Sequence, residues 1–214
     1  PELIEGVRSN HWKPNLFVQA SEAFVTAGVN RDVDDTAPVQ DVILGTTIYG
    51  TGRTVGKLSA ALRPDADRAV IEIRLAATNS SNNVGYNGPV IIYSQGSTSI
   101  DASKQLWVDS TGVYAEPAKA VCQANSQITD IGAKRKLIER IAWRRAAKQK
   151  AEAEWIASRH AEERVAERMD AESQELLKKA NEALVEKFRK PLLRKGAPPK
   201  VLQFSTTESA LFFT

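Results

Sequence analysis

Hydrophobic and polar side chains alternate along much of the first half of the chain. In residues 68–78, Ile71, Ile73 and Leu75 occupy every second position between polar or smaller neighbours, a period of two that predicts a β-strand. We predict about six such strands within residues 41–116, joined by connections too short for crossover helices and therefore antiparallel. This β domain is expected to be a small sandwich or a strongly curved sheet.

Turn signals divide this region into its strands. The letters TGR at 51–53 predict a hairpin turn, and RPDAD at 63–67 predicts a second turn. The polar stretch 79–88 is interpreted as a longer loop that contains an Asn-Gly pair. Gly50 and Gly56 fall within predicted strands, where glycine indicates a bulge or a sharp bend.

The first 40 residues are predicted to form a separate N-terminal segment, 1–40. Apolar residues at helical spacing predict a short helix that Pro14 could open and Gly28 ends. Residues 31–40 combine several aspartates with a proline, which is typical of a linker.

The pattern changes to that of a helix after residue 116, and we assign residues 117–195 to a long helical segment. No glycine or proline occurs between residues 133 and 190, and opposite charges repeatedly lie four positions apart. We therefore expect one nearly continuous, largely exposed helix that ends at Lys190-Pro191. Apolar residues recur every 11 positions, as in Trp155, Ala166 and Leu177, and predict one narrow apolar stripe.

Residues 196–214 predict a return to β-strands after the chain break GAPPK. These strands either join the first sheet or begin a second one, and we expect this last unit, and the chain as a whole, to be part of a longer protein. The predicted fold class is α+β: a small antiparallel β domain, one very long α-helix, and a return to strands.

Composition excludes several classes of protein. The chain has 214 residues, 42% of them hydrophobic, and a net charge of +3, so it is not disordered as a whole. One cysteine excludes a disulfide scaffold, and no apolar run is long enough for a membrane-spanning helix.

The positive charge is concentrated in one place. Residues 134–150 hold eight basic residues and one acid, a net charge of +7, whereas residues 1–116 carry 9 basic and 13 acidic residues, a net charge of −4. On a helix, like charges four positions apart repel one another, so a partner should neutralise this ridge. The predicted partner-contact residues are Lys136, Arg140, Trp143, Arg144, Arg145 and Lys148.

Three kinds of partner could neutralise the ridge. Acidic groups of the same chain or of a neighbouring copy are favoured, because the β domain is acidic. An anionic membrane surface is the second possibility, with Trp143 as an interfacial anchor. Nucleic acid is unlikely, since only one aromatic side chain accompanies the ridge.

The sequence predicts no catalytic, cofactor-binding or metal-binding residues. The stretch GTGRTVGKLS at 50–59 looks like a phosphate loop, but Thr51 stands where the first glycine belongs and Leu58 where Ser or Thr would bind Mg²⁺. The two histidines, His11 and His160, are isolated from each other, and zinc requires three or four converging ligands. We therefore expect no enzyme activity.

The strings DVILGTTIYGTGRTVGKLS, LIERIAWRRAAKQKAEAEWIASRHAEERVAER and LQFSTTESAL resemble a group of uncharacterised exported proteins of planctomycete-type bacteria. The resemblance spans roughly residues 40–210 and rests on structural motifs. It implies a cell-envelope setting, in the periplasm or at the outer membrane, and carries no catalytic residues.

Three functions follow as hypotheses. The leading one is a structural subunit of a bacterial cell-envelope assembly, a homo-oligomer or larger complex that associates through its sheet and helix. The second is an envelope module that binds a lipid or another hydrophobic ligand, which predicts an apolar cavity lined by Ile43, Ile48, Leu75 and Ile92. The third is a non-catalytic domain of a larger enzyme.

Overall fold

The fold consists of two antiparallel sheets and one very long helix. The computed structural model describes residues 17–191 and 202–214. Every strand pairing in this part of the chain is antiparallel, so the predicted α+β class is confirmed at this level. In chain order the elements are β1 (Val18–Ser21), α1 (Glu22–Thr26), β2 (Arg31–Ile43), β3 (Thr46–Arg63), β4 (Ala69–Asn87), β5 (Val90–Val108), β6 (Val113–Ala115), β7 (Lys119–Ala133), α2 (Lys136–Ala183), β8 (Phe204–Thr206) and β9 (Ala210–Phe213).

The main sheet has six strands in the order β2-β3-β4-β5, with β6 and β7 both paired to β5. β6 pairs with the last residues of β5, and β7 pairs with the rest of it, so the two share one edge of the sheet end to end. The strands are unusually long, since β4 and β5 have 19 residues each and pair from Ala69–Val108 to Asn87–Val90. A strand of 19 residues extends for roughly 60 Å.

Of the three predicted turn regions, one is wrong, one is confirmed, and the third is confirmed only at its last residues. Residues 51–53 lie inside β3, and the predicted loop 79–88 lies almost entirely inside β4. The turn at 63–67 does separate β3 from β4, and a tight turn does follow Asn87. The errors have one cause: the side chains along these stretches are small and polar, which is a loop signal in sequence although the strands pair throughout.

Gly50 and Gly56 mark close approach between strands rather than bulges. A Cβ at Gly50 would lie 2.3 Å from the backbone oxygen of Asn82, and a Cβ at Gly56 would lie 2.3 Å from that of Ala76. The pairing of β3 with β4 continues without a register shift through both glycines. Only a residue without a side chain fits at these two places in the sheet.

The main sheet extends beyond both ends of the predicted β domain, 41–116. Residues 31–40, predicted as a linker, belong to β2, and β7 occupies Lys119–Ala133 within the predicted helical segment. The proline in β2, Pro38, is tolerated because β2 is an edge strand of the sheet. The aspartates that suggested a linker make ion pairs instead, as Asp34 does with Arg53.

The predicted long helix is confirmed. α2 runs from Lys136 to Ala183 and continues as a π-helical turn, Leu184–Arg189. Among its described side chains only Ser173 is buried, which agrees with the expected exposure. The apolar residues that recur every 11 positions form a contact face only in part. Val165 and Met169 pack against the buried cluster of the sheet, whereas Trp155 and Leu176 are 66% and 65% exposed. The predicted chain break at 196–200 lies outside the described residues.

The terminal strands form a second, small sheet in the order β1-β9-β8. An isolated bridge between Asp65 and Thr206 attaches it to the main sheet. The predicted N-terminal helix is shorter than expected, since residues 18–21 pair with β9 and only Glu22–Thr26 are helical, with Ser21 as the N-cap. The start of that predicted helix, at Pro14, lies outside the described residues.

Candidate functional site

The helix α2 seals the open edge of β7 with polar side chains. The backbone N–H groups of alternate β7 residues donate to helix residues four positions apart: Ser126 to Glu154 (2.6 Å), Ala124 to Ser158 (2.9 Å) and Cys122 to Glu162 (3.1 Å). The spacings match, because four helical residues rise about 6 Å and two strand residues about 6.6 Å. The pattern resumes where the Ala118 N–H donates to Asp170. An exposed strand edge is thereby covered.

The opposite edge of the sheet reaches the same helix. Asp41 of β2 is bound by His160 Nδ1 at 2.8 Å and by Arg164 at 3.1 Å, and Asp35 is bound by Arg168 at 3.1 Å. We call these five residues the seam. Burial acts to raise the pKa of Asp41, but hydrogen bonds from His160, Arg164 and its own neighbour's N–H outweigh that effect and hold its pKa below the usual range.

Between the two edges, the inner face of the sheet and α2 enclose a groove of about 890 Å³. Alanines recur along its helix wall, among them Ala146, Ala153 and Ala157, and their small side chains leave space between the larger lining residues. Apolar side chains line the end near the start of α2: Ile43, Ile48, Ile92, Ile128, Ile138 and Ile141. Ile141 is 57% exposed, so the groove opens to solvent at this end.

A packed apolar cluster forms the other end of the groove. Ile100, Ala102 and Cys122 are buried there against Leu75 and Val165. Burial, with the Glu162 carboxylate nearby, raises the pKa of the Cys122 thiol to about 11. Further along the helix, the buried Lys104 is paired with Asp170.

The middle of the groove is polar. The inner face of β4 presents asparagines at every fourth residue, each donating to a hydroxyl at 2.9 Å: Asn79 to Thr54, Asn83 to Ser81 and Asn87 to Thr46. The Asn83 Oδ1 atom is buried without a hydrogen-bond partner among the described residues, and it packs against Gly50, where a Cβ would lie 2.3 Å from it. The close approach of β3 and β4 at Gly50 therefore shields this oxygen, and the amides and hydroxyls that line the groove supply the hydrogen-bonding capacity of the groove.

A strained hairpin turn lies at the open end of the groove. Leu44 and Gly45, between β2 and β3, have φ angles of 49° and 74°. Positive φ at both central residues defines a type I′ turn, in which asparagine or glycine is usual and leucine is unfavourable. Leu44 nevertheless occupies the turn, and its side chain lines the groove.

The predicted partner-contact residues lie on the first turns of α2, at this same end. All six are exposed, and none forms an ion pair with another described residue: Lys136, Arg140, Trp143, Arg144, Arg145 and Lys148. Arg145 donates to Gln149 at 3.0 Å, and both line the groove. The acidic β domain therefore does not neutralise the ridge through the described residues of one chain, and pairing with a second chain stays a prediction.

The phosphate-loop look-alike at 50–59 is part of β3 and precedes more strand, as expected from the failed motif. The residues that the structure describes contain no cluster of His, Cys, Asp or Glu suited to a metal ion. No helix among them is long and apolar enough to cross a membrane.

Sequence reasoning missed the residues that position the helix on the sheet. None of Glu154, Ser158 and Glu162 is among the predicted site residues, and His160 is predicted only to be an isolated histidine. A signal was present, because hydrogen-bond acceptors recur every four residues on this stretch of the helix. It could not be interpreted until β7 was known to be a strand with an open edge.

Comparisons with known proteins give no match, so the functional proposals rest on the geometry described above. No protein-family model matches the chain, and no curated protein or solved structure matches it either.

Proposed function

We propose that the protein binds a lipid or a similar elongated hydrophobic ligand in the groove between the main sheet and α2. The observation that carries this proposal is the groove itself, whose volume of about 890 Å³ lies within the range of ligand pockets. The sequence predicts either a sandwich or a strongly curved sheet. We take the main sheet to be strongly curved, because its two edge strands, β2 and β7, both contact the same helix.

The ligand-binding hypothesis predicted an apolar cavity lined by four named side chains, and the residues that line the groove support it. Ile43, Ile48 and Ile92, three of the four side chains expected in an apolar cavity, line it. The fourth, Leu75, packs in the cluster at its closed end. A tightly packed core would place large apolar side chains along the middle of the facing helix, whereas Ala146, Ala153 and Ala157 line that part of the groove.

The chemistry of the lining suggests an amphiphile rather than a plain hydrocarbon. Apolar walls at both ends of the groove are separated by the hydroxyls and amides of residues such as Thr54, Ser81 and Asn83. Such a lining suits a molecule with an apolar chain and a hydrogen-bond donor, such as the amide or hydroxyl of a lipid. Displacing bulk water from the apolar parts supplies the driving force.

A groove-filling substitution tests this function. Ala153→Phe places a ring in the groove, and Ala151→Phe places the same ring on an exposed position of the same helix as the matched control. Titration with a fluorescent fatty acid should give saturable binding to the unmodified protein and to the control. We expect at least about a tenfold weaker affinity for Ala153→Phe, since filling a pocket excludes its ligand. Equal affinity in both variants, or no saturable binding to the unmodified protein, contradicts the proposal.

A second candidate function is the structural subunit of a bacterial envelope assembly. The observation that favours it is exposed apolar surface on the outward face of α2, where Trp155 and Leu176 are 66% and 65% exposed. Under this proposal the ridge meets acids of a neighbouring copy. Arg144→Glu with Lys148→Glu should then lower the sedimentation coefficient at low salt more than at high salt.

A further inference from the structure

We propose that one end of the molecule docks on an anionic phospholipid bilayer. We call this end the tip. It comprises the β2–β3 turn at Leu44, the β4–β5 turn at Gly88 and the first four turns of α2. The tip meets the groove at its open end, where Leu44 and Ile141 belong to both. The proposal concerns docking of the whole molecule, and it goes beyond ligand binding itself.

The pairing register brings these three parts to one end of the main sheet. β2 and β3 meet at the pair Ile43–Thr46, and β4 and β5 meet at Asn87–Val90. Val90 also pairs with Ala133, the last residue of β7, and α2 begins three residues later. The tip is therefore fixed by backbone pairing.

Positive charge without a partner is the first observation. Residues 134–150 carry a net charge of +7. The line Lys136, Arg140, Arg144 and Lys148 is exposed, and none of its members is ion-paired with another described residue. Elsewhere along α2, Lys150, Arg159 and Lys179 are paired with nearby glutamates, and the unpaired cations there do not form a continuous line. The complement of an unpaired basic line is an anionic surface.

Exposed apolar side chains accompany the charge, which is the second observation. Leu137 and Ile141, one turn apart on α2, are 68% and 57% exposed, and Val42 next to the β2–β3 turn is 58% exposed. Leu44 keeps an unfavourable φ of 49° at the end of its hairpin. Because Leu44 stays in a strained conformation, we infer that its side chain has a function other than stabilising the fold.

Partly exposed aromatic side chains lie near the tip, on the sheet and on α2, which is the third observation. Tyr49 and Tyr93 lie three residues from the ends of their strands, and Trp143 lies seven residues into α2, so each is roughly 10 Å from the end of its element. These three and Tyr86 are all between 38% and 49% exposed. Tyrosine and tryptophan at one depth are typical of a membrane–water interface, where one part of the ring is apolar and the other hydrated.

The combination favours a bilayer over the other anionic partners. An acidic protein or a nucleic acid would account for the cations, but neither requires apolar side chains at the end of the molecule. A bilayer accommodates all three classes: cations at the headgroups, aromatic rings at the interface and apolar tips in the acyl region. Docking in this way places the open end of the groove against lipid.

Flotation with lipid vesicles tests the proposal. The unmodified protein should float with vesicles of phosphatidylcholine and phosphatidylglycerol, and should bind pure phosphatidylcholine vesicles at least about tenfold more weakly. Arg140→Glu with Arg144→Glu should reduce binding to the anionic vesicles by about tenfold or more. The matched control is Lys178→Glu with Lys187→Glu, an equal charge change at exposed, unpaired positions in the far half of the same helix. It should bind anionic vesicles like the unmodified protein.

Leu137→Ser with Ile141→Ser separates insertion from charge alone. This variant keeps every cation, and we expect about tenfold weaker vesicle binding with unchanged retention on a polyanion such as heparin. Vesicle binding that is equal in the ridge and control variants, or that is unaffected by the apolar substitutions, overturns the proposal. So does tighter binding to duplex DNA than to anionic vesicles, which would assign the tip to nucleic acid.

Discussion

At the scale of single residues, the backbone conformation of Leu44 lowers the stability of the fold, whereas its apolar side chain serves the proposed membrane docking. Its φ of 49° is a conformation that costs an L-residue about 1–2 kcal/mol and that asparagine adopts readily. Gly45, the second residue of the turn, has no such conflict at φ 74°. An apolar side chain therefore occupies the tip although the backbone conformation that it requires there is less stable.

We predict that Leu44→Asn changes stability and membrane binding in opposite directions. The free energy of unfolding should rise by about 1 kcal/mol in urea denaturation because the turn strain is relieved. Vesicle binding should weaken because an apolar side chain leaves the tip. The control Leu44→Ala keeps the strain and loses the apolar contact, so it should weaken both. A Leu44→Asn protein less stable than Leu44→Ala would show that the turn is not strained.

Cys122 provides a second prediction at this scale. Its thiol is buried, and burial raises its pKa to about 11. At pH 8 the thiolate fraction, and with it the rate of alkylation, should be about two-hundredfold below that of a free cysteine. Modification by a chromogenic disulfide should become fast only in denaturant. Rapid reaction of the folded protein at pH 8 would mean that the cluster at the closed end of the groove opens readily.

At the scale of elements, a row of polar side chains attaches α2 to the edge of β7, in addition to the apolar Val165 and Met169 that pack at the closed end of the groove. Ser158 makes two bonds, accepting from the Ala124 N–H at 2.9 Å and donating to the Glu154 carbonyl at 2.8 Å. The matching of helix and strand spacings lets three consecutive contacts of this kind form without distorting either element.

We predict that Ser158→Ala lowers the free energy of unfolding by about 1–3 kcal/mol, the cost of leaving a buried N–H without an acceptor. Alanine favours the helix slightly, so the loss cannot come from helix propensity. Gln174→Ala, at an exposed position of α2, is the control and should be neutral or slightly stabilising. Urea denaturation of both variants measures the difference. A loss as small as that of the control would mean that water replaces Ser158 freely.

The seam on the opposite side of α2 should respond to acid. The pKa of Asp41 is lower in the folded protein than in the unfolded chain, so its contribution to stability is fully present above the usual carboxyl value of about 4. That contribution is lost as the pH falls through the lower, folded-state pKa.

We predict that Asp41→Asn destabilises the protein by about 1 kcal/mol at pH 7 and reduces the fall in stability below pH 4. Thermal denaturation from pH 3 to pH 7 measures both effects. Asp34→Asn, which removes an exposed pair with Arg53 away from the helix, is the matched control. If the two variants have the same acid dependence, the seam does not hold β2 to the helix.

The sequence predicted the long helix and the antiparallel strands well where side chains were large or charges were paired. It failed over 79–88 and 31–40 for a physical reason. The inward residues of β4, such as Ser81 and Asn83, face a groove instead of a packed core, so they need not be apolar and the alternation disappears. The polar residues that face the groove therefore made these strands look like loops in the sequence. The seam could not be foreseen either, since it joins residues more than a hundred positions apart.

At the scale of the whole molecule, the groove and the tip are adjacent and share residues at the open end of the groove, among them Leu44 and Ile141. The groove depends on small side chains facing each other across sheet and helix, and the tip depends on large ones facing outward. A molecule that binds lipid in the groove and docks through the tip would exchange that lipid with a bilayer without carrying its acyl chain through water. That idea requires both proposals, and each can fail alone.

We predict that two variants separate the two steps in a transfer assay between labelled donor vesicles and unlabelled acceptor vesicles. Ala153→Phe should float with anionic vesicles like the unmodified protein but transfer little labelled lipid, because its groove is filled. Arg140→Glu with Arg144→Glu should still bind a fluorescent fatty acid in solution, yet transfer more slowly by about tenfold, since docking limits it. Added salt should slow the unmodified protein toward the rate of this second variant, because salt screens charges beyond about 8 Å. If the filled groove transfers lipid at the full rate, the groove does not carry the lipid, and the tip alone explains the association with membranes.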